Sequence, residues 1–402
     1  MHLRRPGPTA AAAAVVCAVC LMLPGSAGAS KARPASASVP AGFVGVNINA
    51  PVFPGSPDLA AQLDTMVADG VQTVRVVFDW SYAQPYKNWS SVPADETSQF
   101  TNVNGIPTRF GEYDQLMVLA AARHLTVFPT VAYAPGWDAT SAPTGLLPIP
   151  KKDAPYAAFC AALARRYGPG GALWKLISPA DPIHMWEIWN EPNLSYYWSK
   201  QPFEDTYVPL LHAAYAAIKA VSSSSQVMVG GLTNNSWNAL RLLYRVPGAG
   251  RWFDGVALHP YTKYPAGVIT IMQNVRAVLK AHDGSNKTLV ADEISWPSSQ
   301  GVGSNPSHLD IATTEAGQAT DIAAALPLLE KNRKALNLVG FNYYTWASID
   351  DKGGNIFDFA GLYQIGSNGN TTAKPAAAAF RKAALKLEGC RSKGAVATDC
   401  IH

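Results

Sequence analysis

The run His184-Met185-Trp186-Glu187-Ile188-Trp189 is followed by a polar turn, Asn190-Glu191-Pro192-Asn193. A helical stretch, Glu204–Val221, comes next, and then a second apolar run, Val227–Leu232. This segment decides the fold. Each apolar run is short and bounded by Asn, Gly or Pro, as a strand buried on both faces is. Apolar residues in the stretch between them recur with helical spacing. Strand, helix and strand make one βαβ unit, whose two strands lie parallel.

The same rhythm extends in both directions. Further runs are Phe43–Ile48, Thr73–Phe78, Leu125–Val131, Phe253–His259, Leu289–Asp292 and Leu338–Thr345, which makes eight in all. Helical patterns alternate with them at Asp58–Asp69, Glu112–Arg123, Ala154–Tyr167, Gly267–His282 and Thr313–Lys331, and Ala376–Leu387 follows the last run. A short pattern near Trp237–Tyr244 is weak. Eight such units predict one α/β domain, a closed (β/α)₈ (TIM) barrel. An open doubly wound sheet is the alternative. It lacks support at the first turn, Asn47-Ile48-Asn49-Ala50-Pro51, which has no Gly-rich phosphate loop.

Lys and Arg total 32 against 28 Asp and Glu. A net charge of +4 is too small for a nucleic-acid binder that works by charge alone. Charged residues make up only 15% and hydrophobic ones 48%, which excludes a disordered chain. Arg4 and Arg5, the apolar run Ala10–Leu23 and the small residues Ala27-Gly28-Ala29 read as an export signal over residues 1–29. The expected organisation is then a flexible leader at 30–40, the barrel at 41–389 and a tail at 390–402. A secreted protein with no membrane segment after signal cleavage follows, with oligomeric state left open. In an oxidising exterior, Cys390 and Cys400 are expected to form a disulfide. Cys160 sits in an apolar helical pattern and is expected to be buried and inert. The histidines form no zinc-binding spacing, no serine-esterase elbow is present, and neither metal nor cofactor is implied.

Two glutamates stand at strand ends, Glu191 in Trp189-Asn190-Glu191-Pro192 and Glu293 in Ala291-Asp292-Glu293-Ile294. They are 102 residues apart, three βα units, so they face one mouth from the fourth and seventh strands. Two such carboxyls suit glycosidic cleavage. One donates a proton to the leaving oxygen and the other acts at the anomeric carbon. Glu187, on the fourth strand, is a competing reading, as a buried partner for Arg75.

The stretch Trp186–Asn193 resembles the acid/base signature of clan A glycoside hydrolases, particularly families 39 and 5. Arg75–Trp80, Tyr133–Trp137, Phe253–Tyr261 and Tyr343–Trp346 are similar to those families' second strand, third loop, sixth strand and eighth strand. The resemblance implies a retaining glycosidase with Glu191 as acid/base and Glu293 as nucleophile. It places Arg75, His259 and Tyr261 around Glu293 and makes Trp346 the sugar platform. Asn190 is expected on a sugar hydroxyl, and Trp137 and Trp296 in subsites. Tyr196, Tyr197 and Trp198 are further subsite candidates. Two residues depart from the family pattern. Ser295 stands where glycine is common, and Asp292 adds an acid that strand alternation should turn away from the mouth. The expected activity is hydrolysis of a β-linked glycan. A carbohydrate-binding barrel without catalysis and a transglycosylase using the same residues are the alternatives.

Overall fold

A computed structural model describes residues 38–50, 52–54, 58–282, 286–305, 309–366 and 369–390. The expected export signal, most of the leader and Cys400 lie outside these residues. The expected Cys390–Cys400 bridge therefore does too.

Eight parallel strands close into a barrel. They are β1 (Val44–Asn47), β2 (Thr73–Asp79), β3 (Thr126–Ala132), β4 (Met185–Ile188), β5 (Gln226–Thr233), β6 (Gly255–His259), β7 (Thr288–Ile294) and β8 (Leu338–Tyr343). The helices that follow them in turn are α1 (Leu59–Ala68), α2 (Gly111–Ala121), α3 (Asp153–Tyr167), α4 (Glu204–Val221), α5 (Ser236–Arg245), α6 (Pro265–His282), α7 (Glu315–Leu336) and α8 (Pro375–Leu387). Strand β1 pairs with both β2 and β8 and closes the ring. The weak pattern after β5 is a full helix, α5, held by buried Ala239, Leu240 and Leu243. Asp58 and Thr314 cap α1 and α7 by accepting hydrogen bonds from Ala61 N and Gly317 N.

The long loop after β2 contains a hairpin, Thr101–Val103 with Ile106–Thr108. Its turn is Asn104-Gly105, both at positive φ, the pairing that favours a two-residue hairpin. No helix among the described residues is long and apolar enough to cross a membrane.

Period-two alternation sorts each strand into an outer and an inner face. Val74, Val76 and Phe78 of β2 and Val127 and Val131 of β3 join the main core beneath the helices. The inner residues form two layers. The lower is a separate apolar plug of Phe128, Met228, Ala257 and Val290, with Met185 and Val339 packed against it. Two positions further along their strands stand Thr130, His259, Asp292 and Glu187, all buried and all polar. Arg75 and Asn47, also buried, complete this upper layer from β2 and β1. The apolar plug seals the barrel floor, so the polar layer opens only toward the C-terminal strand ends, where barrel enzymes carry their sites.

Candidate active site

Arg75 is the hub of the polar layer and is only 1% exposed. Its Nε and Nη2 donate to the two oxygens of Glu187 at 2.8 and 3.1 Å. Nη1 donates to Asn47 Oδ1 at 2.9 Å and to Glu293 Oε1 at 2.7 Å. Nη2 also reaches Asn190 Oδ1 at 3.0 Å. Both sequence readings of Arg75 therefore hold in the geometry: it pairs Glu187 below and Glu293 above. Glu187 also accepts from Thr130 Oγ1 and from Gly231 N. A carboxylate with its lone pairs so committed is a structural anchor.

Two bulges shape the mouth. In β7, the three steps from Ala291 to Ile294 are matched by two steps of β8, from Phe341 to Tyr343. The extra residue breaks alternation after Asp292, and Glu293 turns inward beside it. The expectation that Asp292 turns away from the mouth is corrected, because it stands two positions past inward-facing Val290. It lies inside the barrel, 2.9 Å from Arg75 Nε and 3.4 Å from His259 Nε2. A second bulge, in β5, falls at Gly230-Gly231. A Cβ on Gly231 would stand 2.0 Å from His259 Nε2, so only glycine leaves room for the imidazole.

Glu191 is carried by the turn after β4, where Trp189 (φ 68°) and Glu191 (φ 44°) both hold left-handed backbone. Such conformations cost about 1–3 kcal/mol each and concentrate at functional sites. Edge contacts of Trp189 with Trp198, Tyr156 and Tyr133 fix the turn. Glu191 Oε1 is bonded to His259 Nδ1 at 2.7 Å. Glu293 Oε2 accepts from Tyr261 OH at 2.7 Å and lies 3.5 Å from His259 Nδ1. One oxygen of Glu191 and one of Glu293 are within 4.8 Å of each other.

The environments of these groups differ. Burial, with Glu293 nearby, pushes the Glu191 carboxyl above the usual range, while His259 opposes the shift. Burial works against charge on His259, but Glu293, Asp292 and the bond to Glu191 outweigh it and hold its pKa well above the ordinary imidazole value. Two sets of ligating atoms lie close enough to grip a cation, Glu187, His259 and Asp292, and Glu191, His259 and Glu293. In both, Arg75 and His259 already supply positive charge, and a metal would have to displace it.

A cavity of about 390 Å³ opens at Glu293, which lines it together with Asn190, the residue before Glu191. Tyr82, Tyr113, Tyr133, Tyr197 and Tyr344 give it flat faces, Asp79, Glu112 and Glu293 line it with carboxylates, and Asn49 and Asn190 add amides. Asn190 Oδ1 is pinned by Arg75, so its NH₂ group is the end left for a ligand.

Three expected subsite aromatics are not part of the cavity wall among the described residues. Trp346 is fully buried, donates from Nε1 to Gln62 of α1 at 2.8 Å and packs on Tyr363. The expectation of a sugar platform at Trp346 is thus corrected. Tyr344, two residues earlier, lines the cavity instead. Trp296 is buried and bonded to Thr262 O. Trp137 is half-buried, bonded to Gln84 O and set edge-on to Trp80, where it ties the second loop to the third. Asp79, Asn49, Glu112, Tyr113 and Tyr344 were not anticipated. Asp79 ends β2 and Asn49 lies two residues past β1, and that position was their one signal.

No family model matches the chain, and no curated protein matches it significantly in sequence. Its fold is matched by solved structures. One is a family 39 glycoside hydrolase from Bacteroides cellulosilyticus WH2, with TM-score 0.61 and 18% identity over 86% of this chain and 64% of that one. Another is a monomeric β-xylosidase from Caulobacter crescentus CB15, with TM-score 0.60 and 21% identity over 87% and 69%. A family 10 endo-β-1,4-xylanase from Gloeophyllum trabeum gives TM-score 0.55 and 15% identity over 87% and 98%. What these structures share with the chain is the (β/α)₈ barrel. The chain spans about two thirds of the family 39 structure's length, and what the two share is the barrel.

Proposed function

We propose that this protein is a secreted glycosidase that cleaves a β-linked O-glycoside with retention of configuration. The observation that carries this reading is the pair Glu191 and Glu293, with oxygens within 4.8 Å across the mouth and unequal surroundings. A retaining pair stands ~5–5.5 Å apart, and an inverting pair needs ~6.5–9.5 Å to admit a water. Structural likeness to a β-xylosidase and an endo-β-1,4-xylanase supports the β-linked class.

The chemistry follows from the two environments. Glu293, held by Arg75 and Tyr261 on its two oxygens, attacks the anomeric carbon. Glu191, raised by burial, gives its proton to the departing glycosidic oxygen. The C–O bond breaks, the alcohol leaves, and the sugar remains as an ester on Glu293. Glu191 then takes a proton from water, whose oxygen attacks the same carbon and frees the sugar. The NH₂ of Asn190 reaches the hydroxyl next to the anomeric centre, and the tyrosines stack on the sugar's apolar faces.

Glu191→Gln and Glu293→Gln should each lose at least about a thousandfold in turnover of aryl glycosides, as removal of a reacting group does. NMR of the first product formed should show the anomer of the substrate. Near wild-type turnover in either variant, or the opposite anomer, overturns the mechanism. Binding without turnover across a broad glycan panel would instead make the barrel a glycan-binding one.

A further inference from the structure

Two buried groups have neither a task in this reaction nor a hydrogen-bond partner. Asp292 is fully buried, and neither of its carboxylate oxygens accepts a hydrogen bond. Arg75 Nε is 2.9 Å away. Yet the five N–H groups of Arg75 are spent, two on Glu187 and one each on Asn47, Asn190 and Glu293. His259 Nε2 is buried and unpartnered as well. These orphans face each other, Nε2 standing 3.4 Å from Asp292 Oδ2. The other ring nitrogen, Nδ1, is on Glu191 Oε1 at 2.7 Å. Asp292, His259 and Glu191 form a line through the two nitrogens of one ring.

We propose that Asp292 is a positioning residue that acts through His259: it holds the imidazole with Nε2–H toward itself and Nδ1 on Glu191, so that Glu191 and His259 share the catalytic proton. This rests on the reading of Glu191 as acid/base. When the leaving group departs, one proton passes from the Glu191–His259 pair to the glycosidic oxygen. When water attacks, one proton returns to the pair.

A buried carboxylate left without a donor costs about 1–3 kcal/mol or more, and a fold keeps one where something beside it answers the charge. Strand β5 offers nothing titratable to the ring, only Gly231, whose missing side chain admits it. From β4 and its turn Glu187 and Glu191 face the ring. From β7 Asp292 and Glu293 do so, from β2 Arg75, and past the end of β6 Tyr261, with ring centroids 6.1 Å apart. Asp292 is the negative group on the Nε2 side whose own oxygens are uncommitted. Its charge favours the protonated form of the pair, so neutralising it lowers the pH at which the pair loses its proton.

The test is Asp292→Asn in the full chain, which keeps the shape and removes the charge. The basic limb of kcat/KM against pH should move down by about one pH unit. An alkyl glycoside, which needs the proton, should lose about tenfold more activity than a dinitrophenyl glycoside, which does not. An unmoved limb with equal losses on both substrates would show a merely structural Asp292. The wild type offers a second measurement that needs no variant. Nitrogen NMR of His259 should find hydrogen on Nε2 at neutral pH, and a bare Nε2 overturns the proposal. Failure of the wild type to hydrolyse any glycoside would remove the acid/base role itself. An active wild type with an unmoved limb in the variant removes only the role of Asp292.

Discussion

Arg75→Met is the most demanding perturbation of this barrel. The side chain keeps its bulk and loses five donors and a charge in a layer that is 1% exposed or less at Arg75, Glu187 and Asp292. Adding the lost bonds one by one, at about 1.5–3 kcal/mol for each charged partner, overstates the loss. An orphaned carboxylate has an escape, because it can take up a proton. Protonating one carboxyl of ordinary pKa 4.5 at pH 7 costs about 3.4 kcal/mol, and at pH 5 about 0.7 kcal/mol. The variant should therefore be destabilised by roughly 3–5 kcal/mol at pH 7, the usual loss for a broken buried ion pair, and by about 2–3 kcal/mol less at pH 5. The sign follows from linkage. In the variant the carboxyl's folded pKa rises above its unfolded value, so the folded state binds the extra proton. Its stability is full below about pH 4.5 and falls as pH rises through the new folded value. Urea unfolding of wild type and variant at the two pH values measures this. Arg75→Lys should recover part of the stability and little of the activity, since the charge returns without the fork that grips Glu187. A loss below about 1 kcal/mol at pH 7, or one that does not change with pH, would refute the hub role of Arg75.

Four further outcomes are expected. Gly231→Ala puts a Cβ 2.0 Å from His259 Nε2 and must push the ring off Glu191. Its overpacking should cost about 1–3 kcal/mol in unfolding free energy and lower kcat with little change in KM, and an unchanged kcat would mean that the ring need not sit there. Glu191→Gln should raise the melting temperature at pH 8 and not at pH 4. Burial raises the pKa of Glu191 in the fold, so its stabilising contribution is present at low pH and lost as pH rises; a gain confined to low pH contradicts this. Trp346→Phe should lower the melting temperature and spare KM, because the ring is core and bonded to Gln62. Tyr344→Ala, on the cavity wall, should raise KM and spare stability, and the reverse pattern would restore Trp346 as the platform.

Much of the barrel was legible because its signal is local. Eight apolar runs alternating with helical patterns leave one economical closure, and the strand ends in the structure fall within two residues of those in the sequence. The hairpin at Asn104-Gly105 carried an equally local signal, a turn pair between short extended runs, and stayed hidden inside a long loop. Helix α5 was too short for its spacing to stand out, and packing decided it. The pairing of Glu191 with Glu293 was readable from unit counting. The choice of Tyr344 over Trp346 was not, because residues two apart beyond the end of a strand no longer obey its alternation.

By itself the sequence determined which residues carry charge and where strands end, since strand ends and residue types are properties of short segments. Strand ends and unit spacing placed Glu191 and Glu293 at one end of the barrel, and the resemblance added Arg75, His259 and Tyr261 around them. Only the folded chain decided how they divide the work. Two bulges, one at Gly230-Gly231 and one at Asp292-Glu293, shift the pleat by a residue, and they leave room for the His259 ring and turn Glu293 inward beside Asp292. A bulge is set by register between neighbouring strands, a relation between distant parts of the chain, and no stretch of sequence read alone contains it.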